Sequence, residues 1–285
     1  VVGAGHMVSK QKEKESRMTA LLKLDRNLKL GSEGKDVEAI IKGMVEAGVL
    51  KNQNDKITNT EDVAIKVIQA NYGLSIDGIF GKNSLKSLQT ALDSGTKILD
   101  TPLDDVMNPV HTGDAKDQMM YDGLKRAIHY LSLGACEIGG NNKGKWVAHF
   151  HGVSEERLLK GNWPWCAAFV NCCYSEASKE NGIDKGFDGS GLALNIRNQV
   201  KSRNESGIKL LKVDKYRPGM LAFWVRGNAG WQGHIEMVHS VLSNKFVLFL
   251  GGNRTAKVDF FVQKIDRLSF GDCNFSTVSY VTPRK

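Results

Sequence analysis

Apolar residues recur at helical spacing through much of the first two thirds of the chain and in short, strand-length runs through the last third. Val37, Ile40, Ile41, Met44 and Val45 lie three and four positions apart, the stripe of a helix that buries one face. Met120, Leu124, Ala127, Ile128 and Leu131 make a second stripe that stops near Gly134. From Cys166 the positions Phe169, Val170, Cys173 and Ala177 follow with the same period. The runs Met220–Val225, Ile235–Val238, Phe246–Leu250, Val258–Val262 and Val278–Val281 have the length of strands. Within the second of these, Ile235 and Met237 fall on one side and His234 and Glu236 on the other. Helices followed by several antiparallel strands predict an α+β fold for the C-terminal part.

The stretch 94–117 interrupts this pattern. It is acidic, has little periodicity and contains Thr101-Pro102, Asn108-Pro109 and Gly113-Asp114, so it reads as an interdomain linker. The expected division is a vector-derived remnant and N-terminal segment at 1–27, a small domain at 28–93, the linker, and a larger domain at 118–285. A chain of 285 residues with 41% hydrophobic and 25% charged residues has enough apolar material for two cores. After Met7 comes the charged run Ser9–Glu15. Neither a secretory signal nor a membrane-spanning stretch is expected, and hence no stable membrane insertion.

Charge separates the parts further. Residues 118–285 carry 23 Lys/Arg against 14 Asp/Glu, a net of +9 in a chain whose total is +8. Such an excess suits a partner with fixed negative charge. No helix-turn-helix, zinc-finger or RNP-type pattern accompanies it, so nucleic acid is not the expected partner. The five cysteines are odd in number and lack any CxxC pair, which points to buried thiols made in a reducing compartment.

One cysteine stands out. Trp163-Pro164-Trp165-Cys166 places Cys166 at the start of a helix, where the positive end of the helix dipole favours a thiolate, with Pro164 expected in the first turn. A nucleophilic cysteine needs a base and a group to orient it. His234 is the candidate base. An antiparallel pairing of the second and third strand runs would carry Asn253 of Gly251-Gly252-Asn253 beside its ring, and Glu236 is the alternative orienting group. Trp163, Trp165 and Trp231 lie close in sequence to these segments and are candidate walls of a substrate groove. Read as alternating strand histidines, His149-Phe150-His151 would suit zinc. With no HExxH and no acidic ligand at a familiar spacing, it reads instead as a loop near the cleft. No metal and no cofactor is expected.

In this order, the tryptophan–cysteine helix start, the Gly-His strand and the Gly-Gly-Asn strand end resemble the CHAP and NlpC-type cysteine amidohydrolases and peptidases of bacterial cell walls. The resemblance covers roughly residues 118–282. It implies a papain-like fold with an antiparallel sheet, Cys166 as nucleophile, His234 as base and Asn253 as orienting residue. Glu236 departs from that family's pattern, which leaves the third position open between Asn253 and Glu236. Upstream, Tyr72-Gly73-Leu74-Ser75-Ile76-Asp77-Gly78-Ile79-Phe80-Gly81 resembles the turn and helix start of small three-helix peptidoglycan-binding domains, over about residues 28–93. Asp77, Gly78 and Phe80 would then contribute to binding, Gly81 would hold a positive φ, and Asn83 or Ser84 would cap the next helix. Asp55-Lys56-Ile57 and Ala64–Gln69 look like a worn copy of the same unit. Together the two resemblances imply a monomeric phage endolysin for a Gram-negative host, held in the host cytoplasm and acting on periplasmic peptidoglycan. The bond cut would be an N-acetylmuramoyl-L-alanine amide or a peptide bond of the stem or cross-bridge. An antibacterial effector or tail-associated hydrolase would use the same chemistry. A wall-binding protein with an inactive cysteine site is the non-enzymatic alternative.

Overall fold

The computed structural model describes residues 24–109, 115–182, 184–202, 208–211, 216–226, 231–264, 269–270 and 273–281. The chain forms two compact units, Val1–Met107 and Asn108–Lys285. Helices in both units and an antiparallel sheet in the second make the class α+β. The Val1–His6 and Ser9–Glu15 readings fall outside the described residues.

In the first unit, α1 (Lys35–Glu46) buries Val37, Ile40, Ile41 and Met44, as its stripe predicts. Helix α2 (Asn59–Asn71) starts at a capping box: Thr58 N–H donates to Glu61 Oε2 at 2.8 Å and the Thr58 side chain accepts from the helix start. Helix α3 (Lys82–Ser94) ends at Gly95, whose φ of 65° is the left-handed stop that glycine accepts readily. Its N-cap is Gly81 at φ −109°, so neither the positive φ expected for Gly81 nor the cap expected from Asn83 or Ser84 occurs.

The turn before α3 is held from below by Gln69, which is 2% exposed. Its Oε1 accepts the N–H groups of Asp77 and Gly78, each at 3.0 Å, and its Nε2 donates to Asp77 Oδ1 at 2.7 Å and to Ile79 O at 3.0 Å. Gly78 is required twice over. Its φ is 72°, and an added Cβ would lie 2.5 Å from Asp62 Oδ1. Phe80 is fully enclosed and exchanges backbone hydrogen bonds with Leu28. This corrects the binding role expected of Phe80, which has no surface to offer; Gly78 and Asp77 shape the turn, with Asp77 exposed.

Much of the stretch read as a linker belongs to this unit. Ile98 N–H donates to Ala47 O at 3.0 Å and Leu103 N–H to Val49 O at 2.9 Å, and Ile98, Leu99 and Leu103 are buried. The short helix α4 (Leu103–Val106) closes the segment. Three isolated apolar residues have no period to read, but they cover the end of α1.

The second unit opens with α5 (Ala115–Ser132) and α6 (Lys145–Ser154), followed by the 3₁₀ turn Glu156–Lys160, α7 (Cys166–Asn181) and α8 (Ala193–Ser202). Residues Cys166 to Tyr174 of α7 are all buried, the mark of a helix enclosed on every side. It packs against α5, α6 and the sheet. The strands are β1 (Ile208–Leu211), β2 (Leu221–Arg226), β3 (Gly233–Val241), β4 (Phe246–Gly251), β5 (Asp259–Lys264), β6 (Ser269–Phe270) and β7 (Cys273–Val281). They pair antiparallel in the order β1-β7-β2-β3-β4-β5, with β6 on β7. Met220, Ala222, Trp224, Val238, Val247, Phe249 and Phe261 form a core cluster on this sheet. Among the described residues no helix is long and apolar enough to cross a membrane.

Candidate active site

Helix α7 begins at Cys166, with Trp165 as an N-cap that supplies no side-chain hydrogen bond. Pro164 therefore precedes the cap instead of sitting in the first turn. Strand β3 carries the other two polar groups. It is buried along both faces from His234 to Ser240, so His234 (2% exposed) and Glu236 (0%) are polar side chains held inside the protein. Burying them without partners would cost several kcal/mol.

The partners are one another. The Cys166 thiol is hydrogen-bonded to the His234 imidazole, and His234 Nε2 meets Glu236 Oε1 at 3.1 Å. Glu236 Oε1 also accepts Arg254 Nε–H at 2.5 Å, and the Arg254 guanidinium lies 3.5 Å above the centre of the Phe261 ring. Among the described residues, Glu236 Oε2 is buried without a hydrogen-bond partner. Burial works against the Glu236 charge, but Arg254 and then His234 hold its pKa down at about 2. Burial likewise acts to lower the His234 pKa. Charge and hydrogen bonding from Cys166, joined by Glu236, outweigh it and raise the value. The arrangement places the imidazole between the Cys166 thiol and an ionised carboxylate.

Asn253 is not part of this chain of contacts, which corrects its expected role. The β3–β4 register sets Met237 opposite Leu250, so three further steps would bring Asn253 opposite His234. The strand stops at Gly251, and Asn253 has a left-handed φ of 58°. With its amide oriented to satisfy its neighbours, Asn253 donates to Glu137 Oε1 and accepts the Trp165 N–H, both at 3.2 Å. Trp165 Nε1 donates to the same Glu137 oxygen at 2.9 Å. Asn253 thus anchors the residue before the nucleophile.

Two glycines make room for this. A Cβ at Gly251 would lie 2.4 Å from Glu236 Cγ, and one at Gly252 would lie 2.6 Å from the Trp165 ring. Trp165 is fully buried, stacked on Phe150 at 5.5 Å, so it is core and not a groove wall. Trp163 (44% exposed) and Trp231 (61%) remain open to a ligand. A surface cleft of about 510 Å³ is lined by Arg157, Lys160, Gly161, Asn162 and Trp163, on the loop that leads to Cys166.

His149 and His151 lie on helix α6, neither on a strand nor in a loop. His151 is buried against the backbone of Trp163 and Pro164, with its Nε2 unpartnered among the described residues. His149 faces Tyr130, Cys172 and Glu176. None of Cys136, Cys166, Cys172 and Cys173 forms a disulfide.

No protein-family model, curated protein or solved structure matches the chain.

Proposed function

We propose that the protein hydrolyses an amide bond of bacterial cell-wall peptide through an acyl-enzyme, with Cys166 as nucleophile, His234 as general acid and base, and Glu236 as the group that orients and charges the imidazole. The observation that carries this reading is the buried Cys166–His234–Glu236 relay at the start of an enclosed helix. A carboxylate held ionised inside a core supports a chemical role, because packing alone is better served by apolar side chains.

The Cys166 thiolate attacks the amide carbonyl, a C–S bond forms, and the oxyanion develops at the N-terminus of α7, where helix N–H groups favour negative charge. The His234 imidazolium gives its proton to the leaving amine. The neutral ring then takes a proton from water, which attacks the thioester and expels the thiolate. Glu236 keeps the ring in place and stabilises its charged form through both steps.

The wall as substrate comes from the resemblance of the Cys166, His234 and Asp77-Gly78 motifs to papain-like wall hydrolases and peptidoglycan-binding domains. The net +9 of residues 118–285 and the Arg157–Lys160 cleft, suited to carboxylates of stem peptides, support it. In this reading the first unit holds the enzyme on peptidoglycan, and the protein is a monomeric endolysin released from the host cytoplasm to the periplasm at lysis. Mass analysis of digested peptidoglycan tests it. A freed lactyl group identifies an amidase and a new peptide terminus an endopeptidase, whereas an unaltered polymer refutes both.

A further inference from the structure

A second cluster of ligand-type side chains lies away from the Cys166 relay. Cys172 and Glu176 are one turn apart on α7, and His149 reaches them from α6. Cys172 Sγ is 3.5 Å from His149 Nε2 and 3.4 Å from Glu176 Oε1, and His149 Nε2 is 3.4 Å from Glu176 Oε1. All three offer ligand atoms within 4.8 Å of one another.

These separations have a specific meaning. A tetrahedral zinc ion with bonds of about 2.3 Å to sulfur and about 2.0 Å to nitrogen and oxygen sets its ligands roughly 3.3–3.5 Å apart. The observed triangle has those edges. Thiolate, imidazole and carboxylate together suit zinc better than magnesium or calcium, which prefer oxygen alone. Two anionic ligands also neutralise a divalent ion.

We propose that His149, Cys172 and Glu176 bind a zinc ion that ties α6 to α7. Tyr130 Oη, 2.8 Å from His149 Nε2 and 2.5 Å from Glu176 Oε1, stands beside the triangle as a fourth ligand or as a hydrogen-bond donor to the carboxylate. The edge-on Phe150 ring, 5.0 Å from Tyr130, gives the site a dry wall. Entry is through the His149 side, whose side chain is 42% exposed against 30% for Glu176. Binding exchanges the Cys172 thiol proton for the metal and releases that proton to solvent. Without metal, burial pushes this thiol up to about 12. The proposal does not depend on the Cys166 chemistry.

The test uses the full chain carrying Cys166→Ala, which removes the thiol of the other site. The protein is stripped with chelator, equilibrated with zinc, desalted and assayed for bound metal and melting temperature. About one equivalent of zinc is expected, with a melting temperature raised by the metal. His149→Ala and Glu176→Gln, both at partly exposed positions, should each weaken zinc binding by about tenfold or more and abolish the thermal shift. With cobalt(II) in place of zinc, a thiolate charge-transfer band should appear and should be absent from Cys172→Ser. If that buried variant does not fold, the His149→Ala spectrum, altered in intensity and position, takes its place. Failure to retain zinc, or undiminished zinc in both His149→Ala and Glu176→Gln, overturns the assignment.

Discussion

Glu236 Oε1 stands 3.1 Å from His234 Nε2, two residues along the same strand, while accepting Arg254 Nε–H at 2.5 Å. The imidazole and the carboxylate thus share one strand face and need no long-range pairing to meet. The pair is fixed further by Gly251 across the sheet, where any larger residue would press on Glu236.

Glu236→Gln should therefore be the costly change at the third position. It keeps the shape and removes the charge that favours imidazolium, so turnover should fall by about two orders of magnitude or more with little change in KM. Asn253→Ala should cost stability, about 1–2 kcal/mol for the lost hydrogen bonds at Trp165 and Glu137, with turnover reduced less than about tenfold. Steady-state kinetics on a soluble wall peptide would rank the two. The opposite ranking would return the orienting role to Asn253.

Gly251→Ala tests the cross-strand fit. Its new Cβ would sit 2.4 Å from Glu236 Cγ and 3.1 Å from Oε1. Overpacking of this kind costs about 1–3 kcal/mol. Moving the carboxylate should also lower turnover, and a variant that melts lower yet works at the wild-type rate would separate Glu236 from catalysis.

Acid stability follows from buried groups with shifted pKa values. His239 is lowered by burial to about 4 against 6.5, and Glu236 to about 2 against 4.5. In both cases the unfolded chain binds more protons, so stability falls as pH drops from 6.5 to 4 through His239 and from 4.5 towards 2 through Glu236. His234 acts oppositely: its raised pKa adds stability below 6.5 that is lost as pH rises through the folded value. Thermal unfolding between pH 7 and 4 should show His239→Asn losing up to about 3 kcal/mol less than the wild type. Parallel curves would refute the His239 contribution.

What the sequence made legible here was local. The helix from Cys166 follows from its period, and the shared face of His234 and Glu236 from strand alternation. Pairing register alone carries Asn253 to His234, and only the left-handed turn after the end of β4 diverts it. His149-Phe150-His151 alternates like a strand, yet it lies in a helix that starts after Gly144. Trp165 reads as a groove wall next to the cysteine, but Phe150 and Phe169 enclose it. The grouping of His149 with Cys172 and Glu176 joins two helices, and no spacing along the chain announces it.

The role of the first unit is tested by truncation. A chain beginning at Ala115 should keep the wild-type rate on small soluble muropeptides and lose much of its rate on intact sacculi, because tethering to the polymer raises effective substrate concentration to as much as the millimolar range. Residues 7–107 alone should sediment with sacculi and release nothing. Equal rates on both substrates, or no co-sedimentation, would rule out the wall-anchoring role.

The central claim is chemical, and one comparison reaches it directly: release of soluble fragments from purified peptidoglycan by the wild type and by Cys166→Ala, with circular dichroism and melting temperature showing both folded. Cys166 is buried at a helix start with no disulfide, so its replacement by alanine removes the sulfur and leaves the fold intact. The account predicts steady release by the wild type and none above background by the variant. Release at the wild-type rate by Cys166→Ala, or none by the folded wild type, would contradict it.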